Sequence, residues 1–415
     1  MRRPPLLPVI TVLAVAAAIW VAYWRAPSTD VGTPLLLPAF GAHVNDAARV
    51  EIVTRLNKTL LRRDGDRWLI ENRDDYPAIF ENVKGAILGL AELKILEAKT
   101  RKPDLYPRLG VEDVQSEKSS STLMEVKDAR GNGLAAVLLG KPREGGGEEG
   151  PMAHTRYVRV QGQEQSYLVK GPIEVSADPM TWVRRDLMDI SGGRVREVTI
   201  ERPGGPAVIA RRGKPEDLDL VLQDVPEDHV VRSTSVVTSL GTALEQLRFD
   251  DVRARRALHW PQQETVTTLR TFDGLTAAVR VAEIDGRKYA TFEFSVEPGT
   301  LTNPVPENKD EPPVIGLEGR RVAPPGPDEA KPPKLTVGRQ VADLNAKVKD
   351  WAFVLPDYKF DMLTRTKDSL IAEKKKPAPP PPVRDPLKVE HYDKDGKLIP
   401  EPQPAPVPVK PVTPR

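Results

Sequence analysis

Residues 50–70 read VEIVTRLNKTLLRRDGDRWLI, and residues 198–222 read VTIERPGGPAVIARRGKPEDLDLVL. Each stretch predicts a strand, a turn, a second strand ending in a basic pair and glycine, then a third strand. Turn-forming residues between alternating apolar runs are the signal of a hairpin. Arg62–Arg63 with Gly65 correspond to Arg211–Arg212 with Gly213. The order of features after each stretch is also shared. Ile79, Val83, Ile87, Leu90 and Leu93 fall at spacings of 4, 4, 3 and 3, and Val236, Leu240, Ala243, Leu244 and Leu247 fall nearly so. That is the stripe of an amphipathic helix lying on a sheet.

Paired strand patterns follow in both halves. LMEVKDARGNGLAAVLLG from Leu123 corresponds to TTLRTFDGLTAAVRVA from Thr267, each with a glycine turn between apolar–polar runs. TRYVRV from Thr155 corresponds to RKYATF from Arg287, and SYLVKG near the end of the first half to WAFVLP from Trp351. These patterns predict an α+β fold: two tandem copies of a mainly antiparallel sheet, each with one main helix. The first copy spans 46–190. The second spans 191–372 and is interrupted at 302–334 by an insertion with nine prolines.

The flanks differ in character. Leu6 to Trp24 is 19 residues without a charge, enough for a helix of about 28 Å, one hydrocarbon core. Leu6 opens it, and Trp20, Tyr23 and Trp24 stand at its far end, where an aromatic belt belongs. Arg2 and Arg3 precede it and only Arg25 follows closely, which predicts an N-terminus inside and the rest outside. Cleavage after Ala26 would place Trp24 at −3 and Pro27 at +1, both poor, so residues 1–26 are read as a cytoplasmic stub and retained single-pass anchor. Residues 27–45 read as a polar linker. The tail, 373–415, carries 13 prolines between 377 and 415 and is expected to stay extended and disordered. It is a candidate strip for contact with an envelope polymer.

Composition bounds the function. Lys plus Arg is 61 and Asp plus Glu is 59, a formal charge of +2, which argues against a nucleic-acid binder. Cysteine is absent, which removes disulfides, thiolate metal sites and a cysteine nucleophile. Proline is 42 of 415, about double the usual roughly 5%. The five histidines, His43, His154, His229, His259 and His391, nowhere fall at i, i+3 or i+4, so no metal-binding helix of the HExxH kind is present. No GxSxG elbow or phosphate loop is found. No catalytic residue, cofactor site or metal site is assigned. Asp74–Asp75 and Asp250–Asp251 read as solvated charge, Asp74–Asp75 beside a helix start. Trp68, Trp182, Trp260 and Trp351 read as core, and Trp182 with Arg184 and Arg185 as a candidate partner contact.

The V-x-I strand at Val50, DGDRWLI from Asp64, LAELKIL from Leu90, YPRLGVED from Tyr106 and the LLGK ending at Lys141, behind the N-terminal anchor, resemble the bacterial DUF4340 proteins, a domain of unknown function. The resemblance covers about residues 46–300. It implies a membrane-tethered extracytoplasmic protein of the bacterial inner membrane. Family members are often associated with ABC-type export systems of the gliding-motility kind, so an ABC-type permease or sister membrane subunit is the implied partner. It supplies no catalytic residues.

Three functions follow as expectations. The first is a non-enzymatic accessory or scaffold subunit of an ABC-type export or envelope-assembly complex, favoured by buried tryptophans and no cleft. The second is a binding module for an envelope polymer or lipid, favoured by a groove lined with Trp and Arg between the halves. The third is an envelope hydrolase, which needs two facing carboxylates in a cleft.

Overall fold

The computed structural model describes residues 33–143, 154–306 and 335–374, with 392 and 394–397. The anchor residues Leu6, Trp20, Tyr23 and Trp24 lie outside these, as do most of the proline-rich insertion and tail. Among the described residues no helix is long and apolar enough to cross a membrane.

The first half forms a nine-stranded sheet. Its strands are β1 (Arg49–Val53), β2 (Lys58–Asp64), β3 (Arg67–Ile70), β4 (Tyr76–Pro77), β5 (Lys94–Ala98), β6 (Thr122–Lys127), β7 (Gly133–Pro142), β8 (Thr155–Val160) and β9 (Ser166–Lys170). They run in the order β4-β3-β2-β1-β6-β7-β8-β9-β5. β10 (Asp186–Met188) follows, and then the second half: β11 (Val195–Glu201), β12 (Val208–Arg211), β13 (Val221–Leu222), β14 (His229–Val231), β15 (Leu247–Arg248), β16 (Asp251–Ala254), β17 (Thr265–Thr271), β18 (Leu275–Ile284), β19 (Arg287–Val296), β20 (Trp351–Val354) and β21 (Ile371–Glu373). Eight of these make a second sheet in the order β13-β12-β11-β17-β18-β19-β20-β16. β10 with β15 and β14 with β21 form two small ribbons. All pairings are antiparallel. The chain is thus α+β, dominated by antiparallel sheet.

Sequence patterning explains the strands. In β1 Val50 and Ile52 are buried while their neighbours are not, the alternation that gives a sheet one core face. β18 alternates the same way from Leu275 to Val281. Helix α1 (Phe80–Ala91) carries the expected stripe, with Val83, Ile87 and Leu90 buried. One cluster of buried side chains runs from Leu36 through both sheets to Ile371.

The structure corrects four expectations. In the second half the stripe from Val236 gives only α2 (Thr234–Ser239), followed by a single 3-10 turn at Leu240–Thr242. Val236, Val237, Thr238 and Gly241 are poor helix interior residues. The longer helix there is α3 (Val337–Val348), after the insertion, burying Val337, Val341 and Val348. The expected linker is packed in part. The run LLLPAF at 35–40 forms a bridge and a helical turn, and Leu36 and Phe40 are buried. The tail begins later than expected, because Glu373 pairs with His229 and Lys374 N–H donates to Asp228 O at 2.8 Å. Finally, Trp260 and Trp351 are only half-buried, unlike Trp68 and Trp182.

The two ends of the insertion meet. Pro304 bridges Thr336, and Val305 N–H donates to Leu335 O at 2.9 Å. Residues 304–305 and 335–336 therefore stand side by side, so the second sheet is continuous on both sides of the insertion.

A candidate binding groove between the halves

The first sheet ends at β4 and the second at β16, and these ends pack together. The turn before β4 makes the join. Asp74 and Asp75 both take left-handed backbone, φ 56° and 67°, which aspartate tolerates better than most residues. That conformation aims the Asp74 carboxylate at β16. It accepts from Ala254 N–H at 2.9 Å and from Arg253 Nε at 2.7 Å. Burial opposes its charge, but the Arg253 and Ala254 hydrogen bonds and the fields of Arg253 and Arg256 outweigh it, holding the carboxyl below its ordinary range. Asp251, at the start of β16, accepts from Arg73 Nε at 2.5 Å, Arg287 Nη1 at 2.6 Å and its neighbour Val252 N–H at 2.9 Å.

The sequence expectation of solvated charge therefore fails for Asp74 and Asp251: both are structural carboxylates at the junction. Tyr76 packs beside them, its ring 4.8 Å from that of Trp351 and 5.9 Å from that of Phe249, both edge-on. Burial pushes the Tyr76 hydroxyl up to about 12.

Over this seam lies a groove of about 690 Å³. Arg255 and Arg256 enter it from the 3-10 turn after β16, and Lys349 and Asp350 from the end of α3. Arg255 N–H donates to Asp350 O at 2.9 Å, which ties the two walls together. Trp260 and Trp351 supply half-buried indoles, and Trp260 Nε1 donates to Glu264, itself held by Arg280 at 2.6 Å. Among the described residues Asp74 is answered by Arg253 and Asp75 by Arg62. The side chains of Arg255, Arg256 and Lys349 form no ion pair there. The groove therefore carries a surplus of positive charge beside aromatic surface, a lining suited to an anion.

The residues expected from sequence fall elsewhere. Trp182 is 2% exposed, donates its indole N–H to Ser176 O at 2.8 Å, and accepts from Ile79 N–H at 2.7 Å. Arg185 stitches the halves, donating to Phe249 O at 2.8 Å and pairing with Asp250. Of the three, Arg184 alone is exposed, in a separate hollow of about 440 Å³ with Lys347 and Trp351. Sequence reading passed over Arg255 and Arg256. Their signal was RARRALHW from Arg253, a basic run ending in tryptophan just beyond a strand. Among the described residues no group of histidine and carboxylate side chains is arranged to hold a metal ion.

The fold defines the class: an α+β protein of two antiparallel sheets joined end to end, with a basic, aromatic groove along the seam. The chain is a DUF4340 domain-containing protein. The family model, described as a domain of unknown function, matches residues 68–270, from β3 through most of β17. A search of curated proteins finds no match.

Proposed function

We propose that this chain is a non-enzymatic, membrane-anchored extracytoplasmic subunit of an ABC-type export or envelope-assembly complex, and that it docks an acidic segment of its partner in the groove over the seam. The observation that carries the docking site is the set of cations Arg255, Arg256 and Lys349, which form no ion pair among the described residues, at the meeting of the two halves. The setting rests on the family resemblance and on the uncharged stretch from Leu6 to Trp24, which this reading takes as a single-pass anchor with its N-terminus in the cytoplasm. The halves are, on the same reading, one unit used twice. Position for position, β3-β2-β1-β6-β7-β8-β9-β5 corresponds to β13-β12-β11-β17-β18-β19-β20-β16. Duplication would explain why a groove forms where the two copies abut.

A second reading, a binding module for an envelope polymer or lipid, is supported by the feature expected for it: a groove between the halves lined with Trp and Arg. The half-buried indoles of Trp260 and Trp351 beside those cations also suit an acidic envelope polymer.

The test is a pull-down from membranes in mild detergent with the full chain as bait. Beside it run an Arg255→Glu/Arg256→Glu chain and one truncated after Lys374. Stoichiometric recovery of an ABC permease with its ATPase, lost in the double variant, is the expected result. Loss on truncation instead would move the contact to the proline-rich tail. Recovery of the bait alone would overturn the subunit reading in favour of the polymer-binding one.

A further inference from the structure

A second groove, of about 850 Å³, lies at the opposite end of the first sheet, beside β5. Its apolar lining comes from Leu35 and Val44 on the segment entering the fold, Leu88 on α1, and Leu96 on β5. Leu35 is 38% exposed and Leu96 40%, so two leucines of neighbouring segments face solvent together. Lys94 and Lys170 stand at the rim with one carboxylate, Glu92.

The place of this groove along the chain says what covers it. Thr33 also lines it, and the segment after Thr33 is fixed there: Leu35 bridges Lys94, Ile95 N–H donates to Pro34 O at 2.8 Å, and Leu36 N–H donates to Leu93 O at 2.8 Å. Only nine residue steps separate Trp24, the last of the uncharged stretch, from Thr33. Nine steps reach at most ~30 Å. A compact body of roughly 300 residues has a radius of gyration of about 19 Å. A tether shorter than the body is wide keeps the far side of the body off the membrane and favours the side around Thr33.

We propose that this groove seats the protein on the lipid bilayer, with Leu35 and Leu96 entering the interface and Lys94 at the level of anionic headgroups. Apolar side chains with a lysine at the rim are a lining that such an interface favours. The inference rests on the reading of residues 6–24 as a membrane anchor.

The natural chain lacks cysteine, so single labels are clean. Full-length Leu96→Cys, Leu218→Cys and Ala17→Cys proteins would each carry an environment-sensitive fluorophore. Leu218, on the second half, is 86% exposed, and Ala17 lies within the uncharged stretch. Each protein is reconstituted into vesicles of phosphatidylcholine with phosphatidylglycerol, with and without brominated acyl chains. The expected result is loss of fluorescence in brominated vesicles for labels at 17 and 96 and none at 218. Quenching at 17 alone would overturn the seating face and leave the anchor standing. Quenching at none of the three would overturn the anchor and the seating face together. Equal quenching at 96 and 218 would mean general adsorption and would also overturn the proposed face.

Discussion

Asp74, in the first half of the chain, accepts a hydrogen bond from the main-chain N–H of Ala254, in the second, at 2.9 Å. Ala254 closes β16, an end strand of its sheet, where unpaired main-chain donors invite further pairing. A side chain from the neighbouring sheet satisfies the donor instead. The two sheets therefore meet without merging into one continuous ladder, and the groove exists because they do.

Replacing Asp74 with alanine strands Ala254 N–H and releases Arg253. The expected loss is about 1–3 kcal/mol, the cost of leaving a shielded polar group unsatisfied. Asp75→Asn, which keeps a residue suited to left-handed backbone, removes only an exposed pair with Arg62, worth about 0–1 kcal/mol. Urea unfolding of the two variants should rank them in that order.

Acid titrates the same contact. Because Asp74 is held below its ordinary value of 3.8, its contribution is complete above that value. It is lost as pH falls through the lower value of the folded state. Glu197 behaves alike: Arg211 and Arg270 outweigh its burial and hold it below 4.5. In Asp74→Asn the urea midpoint should fall less steeply across this acid range than in the natural chain. Equal slopes would show that Asp74 takes no part in acid sensitivity.

Two glycines of α1 should respond oppositely to alanine. At Gly85 an added Cβ meets nothing within 4 Å, so Gly85→Ala is expected to stabilise by about 0.5–1 kcal/mol. At Gly89 it would lie 2.5 Å from Pro172 O, so Gly89→Ala is expected to cost about 1–3 kcal/mol through forced displacement. Thermal unfolding of both variants checks the sign.

Lys359 is 5% exposed, and its ammonium donates to Thr242 O and Glu245 O, each at 2.7 Å. Burial pushes its pKa down, against the fields of Glu245 and Asp189. It caps the turn that ends the α2 segment. Lys359→Met keeps most of the stem and removes the donors, and should cost about 2 kcal/mol by denaturant titration. A change near zero would show that water replaces the ammonium.

Arg255 and Arg256 are exposed and unpaired among the described residues, so Arg255→Glu should change stability by only about 0.5 kcal/mol, while Arg256→Glu, which removes a field that steadies Asp74, should cost about 1 kcal/mol. Partner recovery should fall sharply in the double variant and, in the natural chain, weaken with added salt. A variant that unfolds early would show these arginines to be structural.

The hairpins were legible from sequence because they are local. Alternation in VEIVTRLNKTLLRRDGDRWLI fixes which faces are buried, and Gly65, at φ 60°, supplies the turn that lets β2 reach β3. The stripe of α1 was legible for the same reason. The helix after Val236 was misread, because spacing alone ignores the low propensity of Val, Thr and Gly inside it. Trp182 lies in the core, as its reading there implies, but what it packs against, here the start of α1, is not set by its neighbours in sequence.

Residues within a few positions of one another set the antiparallel strands, the first helix, the uncharged N-terminal stretch and the proline-rich flanks, so these can be read along the chain. Folding in three dimensions is what brings Asp74 to Ala254, Asp251 to Arg73 and Arg287, and Arg255, Arg256 and Lys349 into one groove with Trp260 and Trp351. Those partners stand up to about 180 residues apart, and no periodicity along a chain encodes such meetings. They follow from which sheet ends come together, and that is set by packing of the shared core.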